Sequence, residues 1–446
     1  MENKKFLRKC SKEKIECKDD TINFGLCVNK KKSKLCNSIN VDYFDKNIVS
    51  LPELHIKDFV EYNNDIIKGK EKGYFQDNFI KPCINNINDN KNLTIIKNKK
   101  SSKIPEEFSI ITINAMGIYR DNDPIIINKN GSYSGKNSTL LLMSLRAKIL
   151  RDFLNNNEPD IICFQEMSQE FFNFLYIDIL KKIYPYYFEK NLGDLIQNRN
   201  KDIEVFIISK YNPGKISIYQ LTGNLNYTDS LAVYEFSNLI VINVYLQAGS
   251  KSSPGQKYFW KDYSRCRSQQ IKFIKNIIDS YKNKPIILLG DFNFDLNSIY
   301  LKDNKDWPEA NILNNIGLQD SWFLANINSK SNLGLTENTE INTLRWNSKL
   351  ENKMFRYDGI FSNDKLEILD SKVILNEGYS LDDKYTKAYE DIIIPNRIKK
   401  DPKLLSKIKK NKFGKYDIFV SDHFGVMSKF KINKISKKIS KKTTKK

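Results

Sequence analysis

From Glu107 onward the chain alternates short apolar runs with one or two polar residues at their ends. FSIITIN (Phe108–Asn114), DIICFQ (Asp160–Gln165), IEVFIIS (Ile203–Ser209), KISIYQL (Lys215–Leu221), LAVYEF (Leu231–Phe236), LIVINVYL (Leu239–Leu246) and PIILLG (Pro285–Gly290) have the length and β-branched content of strands. FRYDGIFS (Phe355–Ser362) and YDIFVS (Tyr416–Ser421) read the same way. Ser237-Asn238 predicts a hairpin between two of these runs. Helical spacing appears in three places. Ser138 can cap a helix carrying Leu142, Leu145, Ile149 and Phe153; Ser168 opens a second with Phe172, Leu175, Ile179 and Ile183 on one face. A third runs from about Ser264 to Tyr281 with Ile271, Ile274 and Ile278 inward. Alternating short strands and helices, without internal repeats, predict an α/β protein.

Composition adds limits. Of 446 residues 40% are apolar and 12% aromatic, enough for a sizeable core, which excludes wholesale disorder. Lys plus Arg is 73 and Asp plus Glu 53, so the net charge is 73 − 53 = +20. That sign favours nucleic acid, anionic lipid or a phosphorylated small molecule as partner. Heavy use of Lys, Asn and Ile weakens the inference, because an AT-rich genome raises Lys without selection for binding. The opening MENKKFLRKC has no signal-peptide core, and no apolar run nears the ~20 residues of a membrane helix. The expectation is a soluble, intracellular protein, cytoplasmic or nuclear, with reduced thiols. Five of the seven Cys fall early, and their spacing does not match zinc knuckles. Residues 1–104 read as a Cys-containing basic extension ending in the linker-like KNLTIIKNKKSSKIP. Residues 105–431 read as the α/β domain, with a basic inserted loop at about 378–415, and 432–446 as a Lys-rich disordered tail. The insertion offers Arg397, Lys399, Lys400, Lys403, Lys407, Lys409 and Lys410 as a nucleic-acid-binding set.

The polar residues at the run ends carry the chemistry. Asn114 closes one run, Glu166 follows another, Asp291 and Asn293 follow PIILLG, and Asp422 and His423 follow YDIFV. In α/β sheets, functional groups gather where strands end. Carboxylates brought together there repel unless a cation sits among them. Oxygen donors without thiolates suit Mg²⁺, or Mn²⁺, and a divalent ion beside a histidine is equipment for phosphoryl hydrolysis. His55, the other histidine, has nothing nearby to complete a site.

ITINAMG, DIICFQEM, IILLGDFNFD, FRYDGIF and FVSDHFGV, in this order, resemble the endonuclease/exonuclease/phosphatase superfamily, which includes deoxyribonuclease I, abasic-site endonucleases, sphingomyelinases and inositol-polyphosphate 5-phosphatases. The resemblance implies a four-layered α/β/β/α sandwich of two packed mixed sheets, with one Mg²⁺-dependent site at its edge. It implies that Glu166 is the principal metal ligand, supported by Asn114 and Asp422. Asp291 would orient or deprotonate water, Asn293 would bond the phosphate, and Asp358 would orient His423. Many members carry His where this chain has Tyr245; Tyr is normal in the abasic-site branch, where it donates to phosphate. Three readings stay open: a nuclease on DNA or RNA, a phosphoinositide phosphatase or sphingomyelinase-type phosphodiesterase, and a catalytically weak nucleic-acid-binding protein.

Overall fold

The computed structural model of the protein describes residues 93–98, 100–116, 138–176, 179–188, 203–224, 227–249, 260–301, 306–329, 333–344, 353–379, 389–408, 410–411 and 414–433, together with four short strands ahead of them. Three of those strands, Ile15–Cys17, Cys27–Asn29 and Leu35–Cys36, pair with one another. His55 and the tail beyond Asn433 lie outside the described residues.

Two sheets dominate. The elements, in chain order, are β1 (Ile48–Ser50), β2 (Leu93–Lys97), β3 (Glu107–Asn114), α1 (Ser138–Asn157), β4 (Ile161–Met167) and α2 (Gln169–Leu175). They continue with β5 (Tyr186–Phe188), β6 (Ile203–Ser209), β7 (Lys215–Asn224), β8 (Tyr227–Glu235), β9 (Ile240–Tyr245), α3 (Trp260–Ser280) and β10 (Ile286–Asp291). The rest are β11 (Gln319–Asp320), β12 (Asp358–Ser362), β13 (Leu366–Ile374), α4 (Ile394–Lys400) and β14 (Gly425–Ile432). One sheet runs β11-β12-β10-β9-β8-β7-β2-β1 and the other β13-β14-β3-β4-β6-β5. Pairing is antiparallel except for one parallel pair in each: β9 with β10, and β3 with β4.

Side-chain alternation builds the layers. On β3, Phe108 and Ile110 face the opposite sheet, while Ile111 and Ile113 face the helices. On β9, Val241 faces inward while Ile240, Ile242 and Val244 pack outward on α3 residues such as Ile271 and Ile274. Three apolar layers result: α1 and α2 against one sheet, sheet against sheet, and α3 against the other. This is the expected α/β/β/α sandwich. Buried polar groups also cross the middle, Gln165 and Asn243 among them. Gln165 donates to Asn243 Oδ1 at 2.6 Å, and Asn243 donates to the carbonyls of Phe164 and Phe206. Buried amides so paired hold the two sheets in one register, since a slip would strand them unbonded.

Several expectations need correction. The linker-like stretch supplies β2, which pairs with β7 and buries Ile96 in the inter-sheet core. The helix after Ser168 ends at Leu175, capped by Tyr176, and Ile179–Ile183 is a separate short helix. Tyr416–Ser421 is not a strand: it makes isolated bridges through Tyr416 and Ile418, so Asp422 and His423 precede a strand rather than follow one. The insertion is no loose loop. It holds a π-helical turn at Tyr389–Ile393, α4 and a 3₁₀ turn at Pro402–Ser406, and it sinks Tyr389, Ile393 and Ile394 into the α1 layer. Cys266 on α3 is disulfide-bonded, against the expectation of reduced thiols, whereas Cys163 is free and buried. Among the described residues no helix is long and apolar enough to cross a membrane.

Candidate active site

A parallel pair ends both its strands at the same edge of a sheet. The two parallel pairs therefore deliver Asn114 and Glu166 from one sheet, and Tyr245 and Asp291 from the other, to a common place. Asp291 lies opposite Tyr245 on β9 and opposite Asp358 on β12. Cross-strand partners share a face, so all three side chains turn toward the other sheet. Gly290 makes this edge tight: a Cβ there would lie 1.9 Å from the Val244 carbonyl oxygen, and its φ of +141° suits glycine.

Glu166 breaks the alternation of β4. Cys163 faces inward and Phe164 outward, so Glu166 should turn toward the helices. Its backbone takes a left-handed φ of 50°, and its carboxylate instead meets the inward residues. Asn114 Nδ2 donates to Glu166 Oε1 at 3.0 Å and to Asp291 Oδ2 at 3.0 Å. The Asn114 oxygen accepts from the Met116 backbone N–H at 2.9 Å, which sets the amide's orientation. Tyr245 donates its hydroxyl to Glu166 Oε1 at 2.7 Å. A non-glycine residue in that conformation costs about 1–2 kcal/mol, which these bonds offset.

On the other side, His423 Nδ1 lies 2.8 Å from Asp358 Oδ2 and 4.0 Å from Asp291 Oδ2. Thr336 ties this part down: its hydroxyl accepts from the Asp358 N–H at 3.0 Å, and its carbonyl accepts from the Phe424 N–H at 2.6 Å. Asp422 is buried beside His423 and accepts from the Ser421 hydroxyl at 3.3 Å. Asn293, with φ 54°, donates its backbone N–H to Asp291 Oδ1 at 2.8 Å and its side-chain amide to the Leu246 carbonyl at 2.9 Å.

The electrostatics are those of crowded carboxylates out of water. Burial, and next the charge of Asp358, push the Asp291 carboxyl up to about 8, against the lowering influence of His423 and Asn114. Burial alone would lower His423, but Asp358 and Asp291 raise it well above the ordinary histidine value. Asp358 Oδ1 is buried without a hydrogen-bond partner. An orphaned carboxylate oxygen beside a carboxyl pushed toward neutrality is what a cation would relieve. One atom each of Asp291, Asp358 and His423 lie within 4.8 Å of one another, the described residues' candidate group for holding a metal ion. With Glu166 and Asn114 alongside, the donors are mostly hard oxygens, which fit a divalent cation of that preference.

The site thus brings together Asn114, Glu166, Tyr245, Asp291, Asn293, Asp358, Asp422 and His423. The basic set fares differently. Arg397 is 6% exposed and donates through Nη2 to the carbonyls of Thr343 and Leu344, the latter at 2.8 Å, so it is part of the core. Lys399, Lys403, Lys407 and Lys410 are exposed; the side chain of Lys400, and Lys409, lie outside the description. Sequence reasoning missed Thr336, which stands in no motif, and the Gln165–Asn243 pair, hidden in apolar strands.

The chain's residues 111–423 match the model of the Endonuclease/Exonuclease/phosphatase family. No curated protein matches the chain. Among solved structures it is similar to D. rerio TDP2 complexed with single strand DNA product, at 18% identity over 73% of this chain and 99% of that one, TM-score 0.46. TDP2 from C. elegans aligns at 15% identity over 73% and 75%, TM-score 0.45. An endonuclease/exonuclease/phosphatase family protein from Leptotrichia buccalis aligns at 17% over 73% and 100%, TM-score 0.40. With the family match spanning most of the chain and the strand-end cluster in place, this protein belongs to the Endonuclease/Exonuclease/phosphatase family and is a metal-dependent phosphoesterase.

Proposed function

We propose that the protein is a nuclease-type phosphodiesterase, using Mg²⁺ or Mn²⁺ to hydrolyse nucleic acid, DNA ahead of RNA. The observation that carries the reading is the buried Asp358–His423 pair set against Asp291, with Glu166 and Asn114 across the same edge. Glu166 and the neighbouring carboxylates would hold a divalent cation, which when bound would supply charge neutralisation at the phosphate. Asp291, kept ionised when a cation shares the site, would take the proton of the attacking water. His423, kept protonated by Asp358 and Asp291, offers positive charge to the phosphate oxygens. Tyr245 and Asn114 orient Glu166. In this role Tyr245 acts on the carboxylate rather than on the phosphate. Asn293 spends one amide N–H on Leu246 and keeps a second for the phosphate. Asp422 lies beside His423 and its charge favours the protonated ring.

Nucleic acid is favoured over a small headgroup by the +20 charge and by the exposed Lys399, Lys403, Lys407 and Lys410. The zebrafish TDP2 similar in fold was crystallised with single-stranded DNA product. The test is hydrolysis of DNA, RNA, inositol phosphates and sphingomyelin side by side with Mg²⁺, and DNA affinity against salt. Each phosphate contact adds about −0.9 to the log–log slope on duplex DNA. The expected result is DNA cleavage and a steep slope that becomes shallower when residues 432–446, with their seven lysines, are removed. Cleavage of lipid or inositol phosphate alone, with a shallow slope that truncation leaves unchanged, overturns the nuclease reading.

A further inference from the structure

Arg146 lies on α1, outside the catalytic cluster, and is fully buried. Its guanidinium donates to carbonyls on two separate loops. Nε reaches Val420 O at 2.6 Å; Nη1 and Nη2 each reach Met116 O at 3.1 Å, and Nη2 also bonds Ala115 O. Phe171 of α2 covers it, with the ring centroid 5.0 Å away. Ala115 and Met116 follow Asn114 directly, and Val420 lies just ahead of Asp422 and His423. The guanidinium therefore bridges the chain leaving β3 and the chain entering β14, adjacent strands of one sheet.

The first branch sets an amide. Met116 has a left-handed φ of 43°, a conformation a non-glycine residue keeps only when its surroundings hold it. Two bonds from Arg146 to its carbonyl hold the peptide that follows it, and the Nη2 bond to the Ala115 carbonyl holds the peptide that carries the Met116 N–H. The same residue's N–H occupies the Asn114 oxygen, so the Asn114 nitrogen is the end that meets Glu166 and Asp291. Released, the peptide could turn and let the amide invert, presenting an oxygen to two carboxylates. The second branch seats the turn that carries His423: Val420 is pinned by Arg146, and the Ser421 carbonyl accepts from Asn342 Nδ2 at 2.7 Å. Two other fully buried arginines act more locally. Arg267 bonds Glu309 and the carbonyls of Gln247 and Gly249 after β9, and Arg356 grips Asp320 while bonding Asn297.

We propose that Arg146 is a positioning residue of the phosphoesterase site, orienting the Asn114 amide and the Asp422–His423 turn through one planar guanidinium. The inference rests on the family activity but not on nucleic acid as substrate. Lysine cannot substitute, because an ammonium on a flexible stem lacks the planar fork that reaches three carbonyls at once.

The test uses the full chain and its Arg146→Lys variant. Turnover of bis(p-nitrophenyl) phosphate with Mg²⁺ separates kcat from KM, the urea midpoint reports folding, and amide hydrogen exchange by mass spectrometry locates any loosening. The expected result is a folded variant with kcat lowered about 30-fold or more and KM within about 3-fold. Exchange should accelerate in peptides covering 114–116 and 420–424 while β10 stays protected. A folded variant with kcat within about 3-fold of wild type, or exchange raised evenly throughout, overturns the proposal. Should the variant not fold, arginine-selective NMR of the wild-type chain decides: slowed guanidinium rotation supports the clamp, and free rotation overturns it. Wild-type protein inactive on the diester would count against the catalytic reading, and the exchange pattern would still decide the role of Arg146.

Discussion

The strand-end cluster and the basic insertion both stood out as polar residues in an otherwise ordinary α/β chain, yet they relate to the fold in opposite ways. In the cluster each polar residue terminates or abuts a buried strand, so its position follows from the sheet. Asp291 is paired with Tyr245 on one side and Asp358 on the other by backbone register alone. In the insertion, charge marks no position. Arg397 is buried and caps Thr343 and Leu344, while Lys399 and Lys403, close in sequence, face water. A polar residue at the end of a buried strand has neighbours fixed by hydrogen-bonded register. One in a charge run has its environment chosen by which side of a short helix packs.

That contrast is broken most forcefully in the cluster. Glu166→Gln or His423→Ala should lower turnover by about 10²–10³-fold or more, because each removes a group acting on transition-state charge. Near-normal kcat in either would detach the cluster from catalysis. Asp358→Asn should also lower kcat with the fold intact, since Asp358 holds the His423 ring at 2.8 Å. A silent Asp358→Asn beside a damaged His423→Ala would break that pairing.

Tyr245→Phe sharpens the cluster from within. It removes one hydrogen bond to Glu166 and should cost about 1.5–3 kcal/mol, the range for bonds to charged groups, seen as weaker metal affinity as well as lower kcat. A drop in kcat with Mg²⁺ affinity unchanged would return the tyrosine to direct phosphate contact.

The insertion should divide into two kinds of basic residue. Lys403→Glu with Lys407→Glu should weaken nucleic-acid binding and shallow its salt slope, by about 0.9 for each lost phosphate contact on duplex DNA. Arg397→Met should leave the slope alone and instead destabilise the fold by about 1–2 kcal/mol, as two carbonyls lose their donor while a buried, partly unpartnered guanidinium is removed. Equal effects of the two substitutions on the salt slope would erase the distinction.

The smallest effect belongs to charge satisfied at the surface, far from both regions. Burial tends to raise Glu235, but hydrogen bonds from Lys215 and Tyr281, with the charges of Lys215 and Lys284, leave its carboxyl below the ordinary value of 4.5. A lowered folded value gives stability that is present above the unfolded value and lost as pH falls through the folded one. Glu235→Gln should therefore destabilise by at most about 1 kcal/mol at pH 7, given its partial exposure, and the difference should vanish in acid. A urea midpoint difference that persists at pH 3 would assign the effect to packing.

What the sequence determined by itself follows from local rules. Apolar runs of strand length other than Tyr416–Ser421, helical spacing after Ser138, the Ser168 cap and the Ser237-Asn238 hairpin all depend on near neighbours, and these reappear in the structure. The run-end polar residues were legible because a short buried run leaves its terminal side chain only one region to enter. The tertiary structure alone decided the rest. It made Tyr416–Ser421 irregular, so that Asp422 and His423 enter the site ahead of β14. It turned Glu166 inward through a left-handed backbone and directed Tyr245 to that carboxylate. It drew Thr336, Arg146 and Arg397 into buried hydrogen bonds to distant backbone. These outcomes depend on partners 22 to 274 residues away, at 336→358 and 146→420, and no local pattern of apolar and polar positions encodes which carbonyl a buried donor will meet.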